Sequence, residues 1–400
     1  ALGYSALEVQ NFTTATDAFN TALGFNAGAL VTTGTHNTLI GANAGDSLTT
    51  SGFNTAVGSA ALAAATTATS NTAIGRSALA TTILSSQNTA VGNNALAQHN
   101  QATAINSNNT AVGFKVGEEI TTGVQNTLIG ALAGDELTDA DYNVAIGDQA
   151  LSADTLGSRS VAVGQAALAA QNFTTATDSN NVAVGFGAGL AVTTGNTNTL
   201  IGSLAGDALT DADHNVALGY ASLTTDTLGS RSTALGYVAL FSQNFTTATN
   251  TYNTAVGWAA GTAITTGVEN ILIGGLAGDA LTDADYNIAV GTGALTLDTL
   301  GSRSIAIGQA ALGTQNFTTA TDTYNIAIGY TAGIAVTTGT QNVLIGGFTG
   351  DALTDSNANV AIGYSALGAD TLGNNSTAIG ASTLRVQNFT TATSAYNTAV

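Results

Sequence analysis

The sequence contains no cysteine, no proline and no methionine. Without cysteine, the chain has no disulfides, no thiol nucleophile and no thiolate metal ligand. Without proline, every residue keeps its backbone N–H, which suits a structure whose strands have hydrogen-bonded neighbours on both sides. There is also no run of about 18 apolar residues, so we expect no transmembrane helix. No signal peptide is recognisable.

Positive charge is scarce. Only 6 Lys and Arg face 25 Asp and Glu, which gives a net charge of −19. Binding to nucleic-acid phosphates needs a basic surface, and anionic membranes repel an acidic one, so we expect neither partner. Glycine is abundant, with 48 residues, and the hydrophobic fraction of 44% is mostly Ala, Val, Ile and Leu. This composition favours frequent tight turns around a thin core.

A five-residue phrase recurs along the whole chain. It is Asn-Thr-Ala-Leu-Gly at residues 20–24 and Asn-Thr-Ala-Val-Gly at residues 54–58. Its copies are 17 or 21 residues apart, and from Gly92 onward one step of 21 and three of 17 make a 72-residue super-repeat. Such regular repetition is typical of solenoids. We predict an all-β, parallel β-solenoid (β-roll) that spans residues 1–400 as a single continuous segment, and we expect it to be a window of a longer repeat protein.

The phrase predicts a sheet with two apolar faces. Its fourth position is always Val, Ile or Leu, its third is Ala or Leu, and its second is Thr, Val or Ile. A short strand puts the second and fourth positions on one face and the third on the other, so both faces need cover. We expect the second and fourth positions to fill the interior and the Ala-rich face to bind other copies in a homotrimeric or otherwise bundled rod. The expected oligomer face consists of Ala145, Ala162, Ala183, Leu200 and Ala217.

The residues that follow each phrase predict the rest of the coil. Pairs such as Ala61-Leu62 indicate a second short strand, and helix is the alternative for this half-coil. The four extra residues of the 21-residue coils fall within residues 171–177 and should form a surface loop. Asp154 and Arg159 recur together and predict an exposed ion pair.

The sequence contains three kinds of candidate binding or modification site, and each has a structural alternative. Asn11, Asn172, Asn244, Asn316 and Asn388 match the Asn-X-Thr acceptor of N-glycosylation, and the alternative is a turn in which the following Phe packs on the solenoid. Carboxylates are calcium ligands, which makes Asp135, Asp139 and Asp141 calcium candidates, although their spacing is not that of an EF-hand and solvated charge is the favoured alternative. Aromatic residues that follow the closing Gly, such as Tyr220 and Tyr237, could stack on sugars or cover a neighbouring chain.

Catalytic patterns are missing. None of the three His is paired with a second metal ligand, and no His recurs with the Ser and Asp residues as a hydrolytic triad requires. We therefore expect no enzyme, no resident metal and no cofactor.

The phrase resembles the head repeat of trimeric autotransporter adhesins, the YadA-like head. The segments Asn143-Val144-Ala145-Ile146-Gly147 and Ser160-Val161-Ala162-Val163-Gly164 carry this resemblance, and the form Asn-Thr-Ala-Ile-Gly-x-x-Ala-Leu also looks like repeats of phage tail fibres. The resemblance implies a left-handed parallel β-roll, three chains around one axis, a cell or virion surface, and a role in attachment.

Three functions are compatible with the sequence. The favoured one is a structural, extracellular fibre or shaft segment that presents or mediates attachment, with other copies of itself and a host-surface receptor or glycan as partners. The alternative is a self-assembling extracellular filament subunit without a receptor of its own. An ice-binding solenoid with a Thr array is less favoured, because Val and Ile replace Thr at the second position in later coils.

Overall fold

The fold is a parallel β-solenoid without helices. A computed structural model describes residues 1–400, which divide into two compact units, Ala1–Asn198 and Thr199–Val400. Each copy of the recurring phrase contributes one three-residue strand, except the first copy, where Leu2 forms only an isolated bridge to Leu23, and the last copy, whose strand has two residues. The solenoid prediction is thereby confirmed, with no helix in either unit.

The first unit contains twelve strands. They are β1 Thr21–Leu23, β2 Thr38–Ile40, β3 Thr55–Val57, β4 Thr72–Ile74, β5 Thr89–Val91, β6 Thr110–Val112, β7 Thr127–Ile129, β8 Val144–Ile146, β9 Gly157–Ser158, β10 Val161–Val163, β11 Thr177–Asp178 and β12 Val182–Val184. The phrase strands pair in parallel with the next coil, so that β1 pairs with β2 and β10 with β12, while β9 and β11 form a separate two-stranded ladder.

The second unit repeats this arrangement. Its strands are β13 Thr199–Ile201, β14 Val216–Leu218, β15 Gly229–Ser230, β16 Thr233–Leu235, β17 Thr249–Asn250, β18 Thr254–Val256, β19 Ile271–Ile273, β20 Ile288–Val290, β21 Gly301–Ser302, β22 Ile305–Ile307, β23 Thr321–Asp322, β24 Ile326–Ile328, β25 Val343–Ile345, β26 Val360–Ile362, β27 Gly373–Asn374, β28 Thr377–Ile379, β29 Thr393–Ser394 and β30 Thr398–Ala399. Register is in phase: Ile271 lies beside Ile288 and Leu272 beside Ala289. Identical phrase positions therefore form straight columns.

The third position of the phrase points into the solenoid, which reverses the predicted orientation. The five residues of the expected oligomer face are fully buried within their own chain: Ala145, Ala162, Ala183, Leu200 and Ala217. They are not available to a second chain, so that prediction was wrong. The physical reason is space. The opposite wall of each thin coil already supplies a buried Leu or Val, and only a small side chain fits between this wall and the sheet.

A Leu on one wall of this core is matched by Gly on the facing wall. Where the phrase carries Leu instead of Ala, the facing wall carries Gly in that coil and in the preceding one. A Cβ at Gly261 would lie 2.7 Å from Cδ1 of Leu272, and one at Gly278 would lie 2.8 Å from its Cδ2. The recurring Leu at the third position therefore fills the volume that two glycines leave open, which keeps the interior close-packed.

The half-coil after the phrase is a series of turns. Here the predicted second strand at Ala61-Leu62 was wrong, and the helical alternative is also absent. Ala60 and Leu62 have φ values of 57° and 55°, in the left-handed region, so their N–H groups point along the solenoid axis in opposite directions. The Ala60 N–H donates to the carbonyl of Ala42 and that of Leu62 to the carbonyl of Ala78, both at 2.9 Å. Bonds to both neighbouring coils replace the ladder that a strand would have made.

A buried ladder of side-chain amides follows the first position of the phrase. Oδ1 of Asn253 accepts the N–H of Asn270 at 2.9 Å, and Oδ1 of Asn270 accepts the N–H of Asn287 at 3.0 Å. The Asn270 amide also donates to the carbonyl of Ala284 at 2.7 Å, which closes its own coil. Each Asn thus satisfies buried backbone groups that have no water to bind.

Serine interrupts this ladder once per super-repeat, and a buried Gln restores it. Ser304 is too short to continue the ladder, and Gln315, from the 21-residue coil that Ser304 opens, donates to the Oγ of Ser304 at 2.8 Å and accepts from Asn325 at 2.9 Å. Gln315 also donates to Asp298, a fully buried carboxylate whose other oxygen accepts the N–H groups of Gly301 and Phe317, both at 3.1 Å. Burial raises the pKa of Asp298 despite these bonds.

In the first unit, His99 stands where later super-repeats carry this Gln, 72 residues before Gln171. Its Nε2 lies 2.8 Å from the hydroxyl oxygen of Ser85, and the ring is fully buried. Burial lowers the pKa of His99 to about 4, so the ring is neutral at physiological pH. A neutral ring here replaces the Asp–Gln pair of the later coils.

Candidate functional site: the outward face of the sheet

The second and fourth phrase positions face outward and form two parallel columns, which we call the outer strip. In β19, Ile271 and Ile273 expose 40% and 39% of their surface, and in β14, Val216 and Leu218 expose 39% and 41%. These aliphatic side chains belong to a sheet that leaves one face uncovered by its own chain. Isolated exposed hydrophobic residues are ordinary on proteins, whereas a contiguous row of them marks a surface for binding.

The chemistry of the outer strip changes along the first unit. From β1 to β7 the second position is always Thr, in phase from coil to coil, and in β8, β10 and β12 it is Val. The fourth position stays Val, Ile or Leu throughout. In the second unit, Ile or Val occupies the second position of most strands. Apolar character of the outer strip is therefore greatest from Val144 onward within the first unit and, within the second unit, from β19 to β26, whose phrase strands carry Ile or Val at both outward positions.

Aromatic rings flank the outer strip on the side of the closing Gly. Tyr220 and Tyr237 are stacked, with ring centroids 5.4 Å apart, and they expose 48% and 52% of their surface. Tyr330, Phe348 and Tyr364 form an edge-on series with centroids 5.2 and 5.7 Å apart. These rings lie where a molecule covering the outer strip would contact them.

Charged groups line the opposite side of the strip. Nε of Arg159 lies 3.0 Å from Oδ1 of Asp178, and its guanidinium lies over the ring of Tyr142, 4.8 Å from the centroid. The predicted Asp154–Arg159 pair was therefore wrong, because Asp154 is buried and accepts a hydrogen bond from Gln171 at 2.5 Å. The arrangement recurs at Arg303, with Asp322 at 3.0 Å and the ring centroid of Tyr286 at 4.6 Å.

The three calcium candidates do not form one site, and each side chain has different surroundings. Asp139 accepts a hydrogen bond from the Thr122 hydroxyl at 2.5 Å, and Asp141 accepts the N–H of Val124 at 2.8 Å, so both brace the preceding coil. Asp135 is half-buried, and its Oδ1 has no hydrogen-bond partner. No group of three or more His, Cys, Asp or Glu side chains converges in a way that could hold a metal ion.

Asp135 is expected to destabilise the fold at neutral pH. Burial, with the nearby Glu136 and Glu118, raises its pKa from 3.8 to about 6. A raised pKa in the folded chain means that the stabilising contribution is present below pH 3.8 and is lost as the pH rises through about 6. We expect Asp135→Asn to raise the free energy of unfolding at about pH 7 by roughly 1–2 kcal/mol, measured by urea unfolding between about pH 4 and 8.

The matched control for this prediction is Asp139→Asn. Asp139 is exposed and hydrogen-bonded to Thr122, so its substitution should bring no gain at neutral pH. The gain from Asp135→Asn should shrink as the pH falls below about 6, where the carboxyl becomes protonated in the folded chain, and it should vanish only below pH 3.8, where the carboxyl becomes protonated in the unfolded chain as well. A variant no more stable than the wild type at neutral pH would contradict this explanation.

The glycosylation candidates lie on the turn that opens the extra segment of each 21-residue coil. Asn11, Asn244, Asn316 and Asn388 are exposed, and Asn172 is half-buried with its Oδ1 accepting from Thr155 at 3.2 Å. Phe173, Phe245 and Phe317, which follow three of them, are each only 6% exposed, as the packed-turn alternative requires. The next three residues are exposed, as at 174–176, and form the expected surface loop. Glycosylation itself stays a prediction.

Comparison with known proteins gives no family. No family model matches the chain, and no curated protein has a significantly similar sequence. The structure contains no helix long and apolar enough to cross a membrane. The function must therefore be argued from the outer strip and its surroundings.

Proposed function

We propose that this chain is a segment of an extracellular structural fibre, whose solenoids bundle with further copies of themselves through the outer strip. The fibre serves attachment at a cell or virion surface. The observation that carries the proposal is the row of outward Val, Ile and Leu side chains, of which Ile271, Ile273, Val216 and Leu218 each expose about two-fifths of their surface.

The size of this row fits an interface between copies. In six successive coils of the second unit both outward positions are Val or Ile, namely in β19, β20, β22, β24, β25 and β26. Two side chains of roughly 40 Å² each per coil amount to on the order of 500 Å² over these coils, which matches the largest apolar patches of soluble proteins, patches that are often binding sites. The Val, Ile and Leu side chains at the fourth position of the other coils extend this surface toward the roughly 800 Å² that one partner contributes to a standard protein–protein interface. A second copy is the occupant that the repeat favours, because only another solenoid has the same spacing from coil to coil.

The surroundings of the outer strip support the same occupant. Exposed rings such as Tyr220 and Tyr237 border one side, and aromatic residues are enriched at interfaces. The Arg303–Asp322 pair borders the other side, as a polar rim does. The resemblance to YadA-like heads favours three chains.

A charge placed on the outer strip should prevent bundling without unfolding the solenoid. Ile273 is 39% exposed, between Val256 and Val290 of the neighbouring coils, so Glu at this position keeps its carboxylate in water in a single chain. In a bundle the same carboxylate would be buried without a partner. We expect Ile273→Glu to shift the protein from oligomer to monomer, or to weaken association at least about 30-fold, measured by sedimentation equilibrium.

Leu297 supplies the matched control. It is an aliphatic residue of the same unit and exposes 51% of its surface, but it lies on the turn outside the outer strip. Leu297→Glu should leave the oligomer unchanged, and far-UV circular dichroism should show both variants folded. If Ile273→Glu associated like the wild type, contacts elsewhere, such as end-to-end stacking in a filament, would explain assembly and the proposal would be wrong.

One feature supports ice binding as a second candidate. The Thr side chains of β1–β7 face outward in a single register, which is the regular hydroxyl and methyl array that such a function needs. This array is confined to seven coils and ends at Thr127, where Val144 follows in the column. Thermal hysteresis measured on the whole chain tests this candidate, and we rank it below the fibre.

A further inference from the structure

The second unit contains a pocket that the proposed fibre role does not use. Its volume is about 400 Å³, within the usual range for small-molecule sites, and its walls include Phe348, Asp351, Tyr364, Gly368 and Arg385. It lies beside the outer strip, at the turns that follow the closing glycines of three successive coils.

One missing side chain creates this pocket. Asp351, Gly368 and Arg385 occupy the same place in consecutive coils, 17 residues apart. In the preceding super-repeat the first two places hold Asp279 and Thr296, and the Thr296 hydroxyl donates to Oδ1 of Asp279 at 2.5 Å.

The super-repeat before that one has the same arrangement, with Thr224 donating to Asp207. Gly368 offers no hydroxyl, so the carboxylate of Asp351 lacks the donor that Asp279 and Asp207 have. The volume of the Thr side chain becomes free space next to this carboxylate.

The remaining walls also depart from the repeat. Phe348, Tyr364 and Arg385 stand where Leu276, Thr292 and Gly313 lie 72 residues earlier. A carboxylate and a guanidinium therefore face one cavity from two coils, with aromatic rings alongside. The rings of Phe348 and Tyr364 have centroids 5.7 Å apart at 75°, and Tyr364 is 61% exposed.

We propose that this pocket binds a carboxylated sugar. The Arg385 guanidinium matches a carboxylate in geometry and charge. The free oxygens of Asp351 accept hydrogen bonds from ring hydroxyls, and the ring of Tyr364 packs against the C–H face of the sugar. A sugar hydroxyl would donate to Asp351 as the Thr296 hydroxyl donates to Asp279, so the sugar replaces a hydrogen bond that the repeat normally makes internally. None of these side chains belongs to the outer strip itself, although the rings of Phe348 and Tyr364 border it.

The decisive variant restores the repeat. A Cβ at Gly368 would lie 3.3 Å from Oδ1 of Asp351, and the backbone of Gly368 does not have the positive φ that disfavours L side chains. Thr should therefore fit at this position as Thr296 does in its own coil. We expect the whole chain to bind glucuronate with a dissociation constant of about 1 mM, measured by saturation-transfer NMR and calorimetry. Gly368→Thr should weaken this binding at least about tenfold, because its hydroxyl and methyl fill the pocket.

Two further measurements separate the contribution of the Arg385 guanidinium from that of the sugar hydroxyls and ring. Arg385→Gly, which also copies the residue found 72 positions earlier, should reduce the preference for glucuronate over glucose to less than about twofold while leaving the fold intact. Acetate should bind at least about tenfold more weakly than glucuronate, because it lacks the hydroxyls and the ring.

Thermal unfolding of each variant reports on folding separately from binding. Glucuronate binding that persisted in Gly368→Thr, glucose binding as tight as glucuronate binding in the wild type, or no binding of either sugar would each overturn the proposal.

Discussion

Gly274→Ala will disrupt the stacking of the coils on either side of it, with a loss of about 4 kcal/mol or more in the free energy of unfolding. Gly274 closes its phrase with a φ of +134°, which L side chains rarely adopt. A Cβ there would lie 2.7 Å from both the carbonyl carbon and the carbonyl oxygen of Gly291 in the next coil. Because these atoms are backbone, no rotamer change relieves the clash.

The next residue in the chain provides the control. A Cβ at Gly275 would have only the carbonyl oxygen of Trp258 nearby, at 3.9 Å, and no positive φ is required. Gly275→Ala should therefore change stability by less than about 0.5 kcal/mol. Urea unfolding followed by circular dichroism, with limited proteolysis to locate the opened coils, distinguishes the two variants. Equal stability of both would show that the close approach of successive glycines is not required.

Ala183→Asp will prevent normal folding of the first unit, whereas Val182→Asp will not. Ala183 is fully buried inside the solenoid, beside Ala162 of the preceding coil, so a carboxylate there has neither water nor a partner. Such burial costs about 3–5 kcal/mol or more. Val182, its neighbour, points outward and is only half-buried, so the same charge remains solvated and should change the stability of the single chain by less than about 1 kcal/mol.

This pair of variants tests which face of the strand is inside. Expression yield and the urea midpoint measure folding, and sedimentation measures association. We expect Ala183→Asp to lower the expression yield and the urea midpoint. Val182→Asp should keep both and lose only the association measured by sedimentation. A folded, monomeric Ala183→Asp variant would mean that the Ala-rich face covers a second chain after all.

Periodicity carried most of the fold prediction. The spacing of the closing glycines identifies the phrase strand of each coil, the parallel stacking of these strands and their in-phase register, because a solenoid repeats its backbone as it repeats its sequence. The second strand predicted for each coil was wrong, since residues such as Ala61 and Leu62 form turns. The position of the extra loop in the 21-residue coils also follows from the sequence, since the phrase on either side of it is unchanged. The burial of Gln315 and Asp298 at the base of this loop could not be predicted from the sequence, because polar residues such as these are usually found at the surface.

The candidate site was predicted only in part. Alternation in the phrase shows that two faces are apolar, but alternation does not say which of them is inside. The pocket at Gly368 was missed as well, although comparison with Thr296 exposes it once the position of Asp351 in its column is known. Asp154 and Arg159 are close in sequence, yet the chain turns the first inward and the second outward.

By itself, the sequence determined the period, the positions of the phrase strands and the glycine-closed corners, because these depend on local backbone geometry that each repeat carries within itself. Only the tertiary structure decided the orientation of the strands, since the choice between Ala183 and Val182 as core depends on the volume left by the opposite wall. It also decided which polar groups are buried, because Asp298 finds its partner 17 residues away, in another coil.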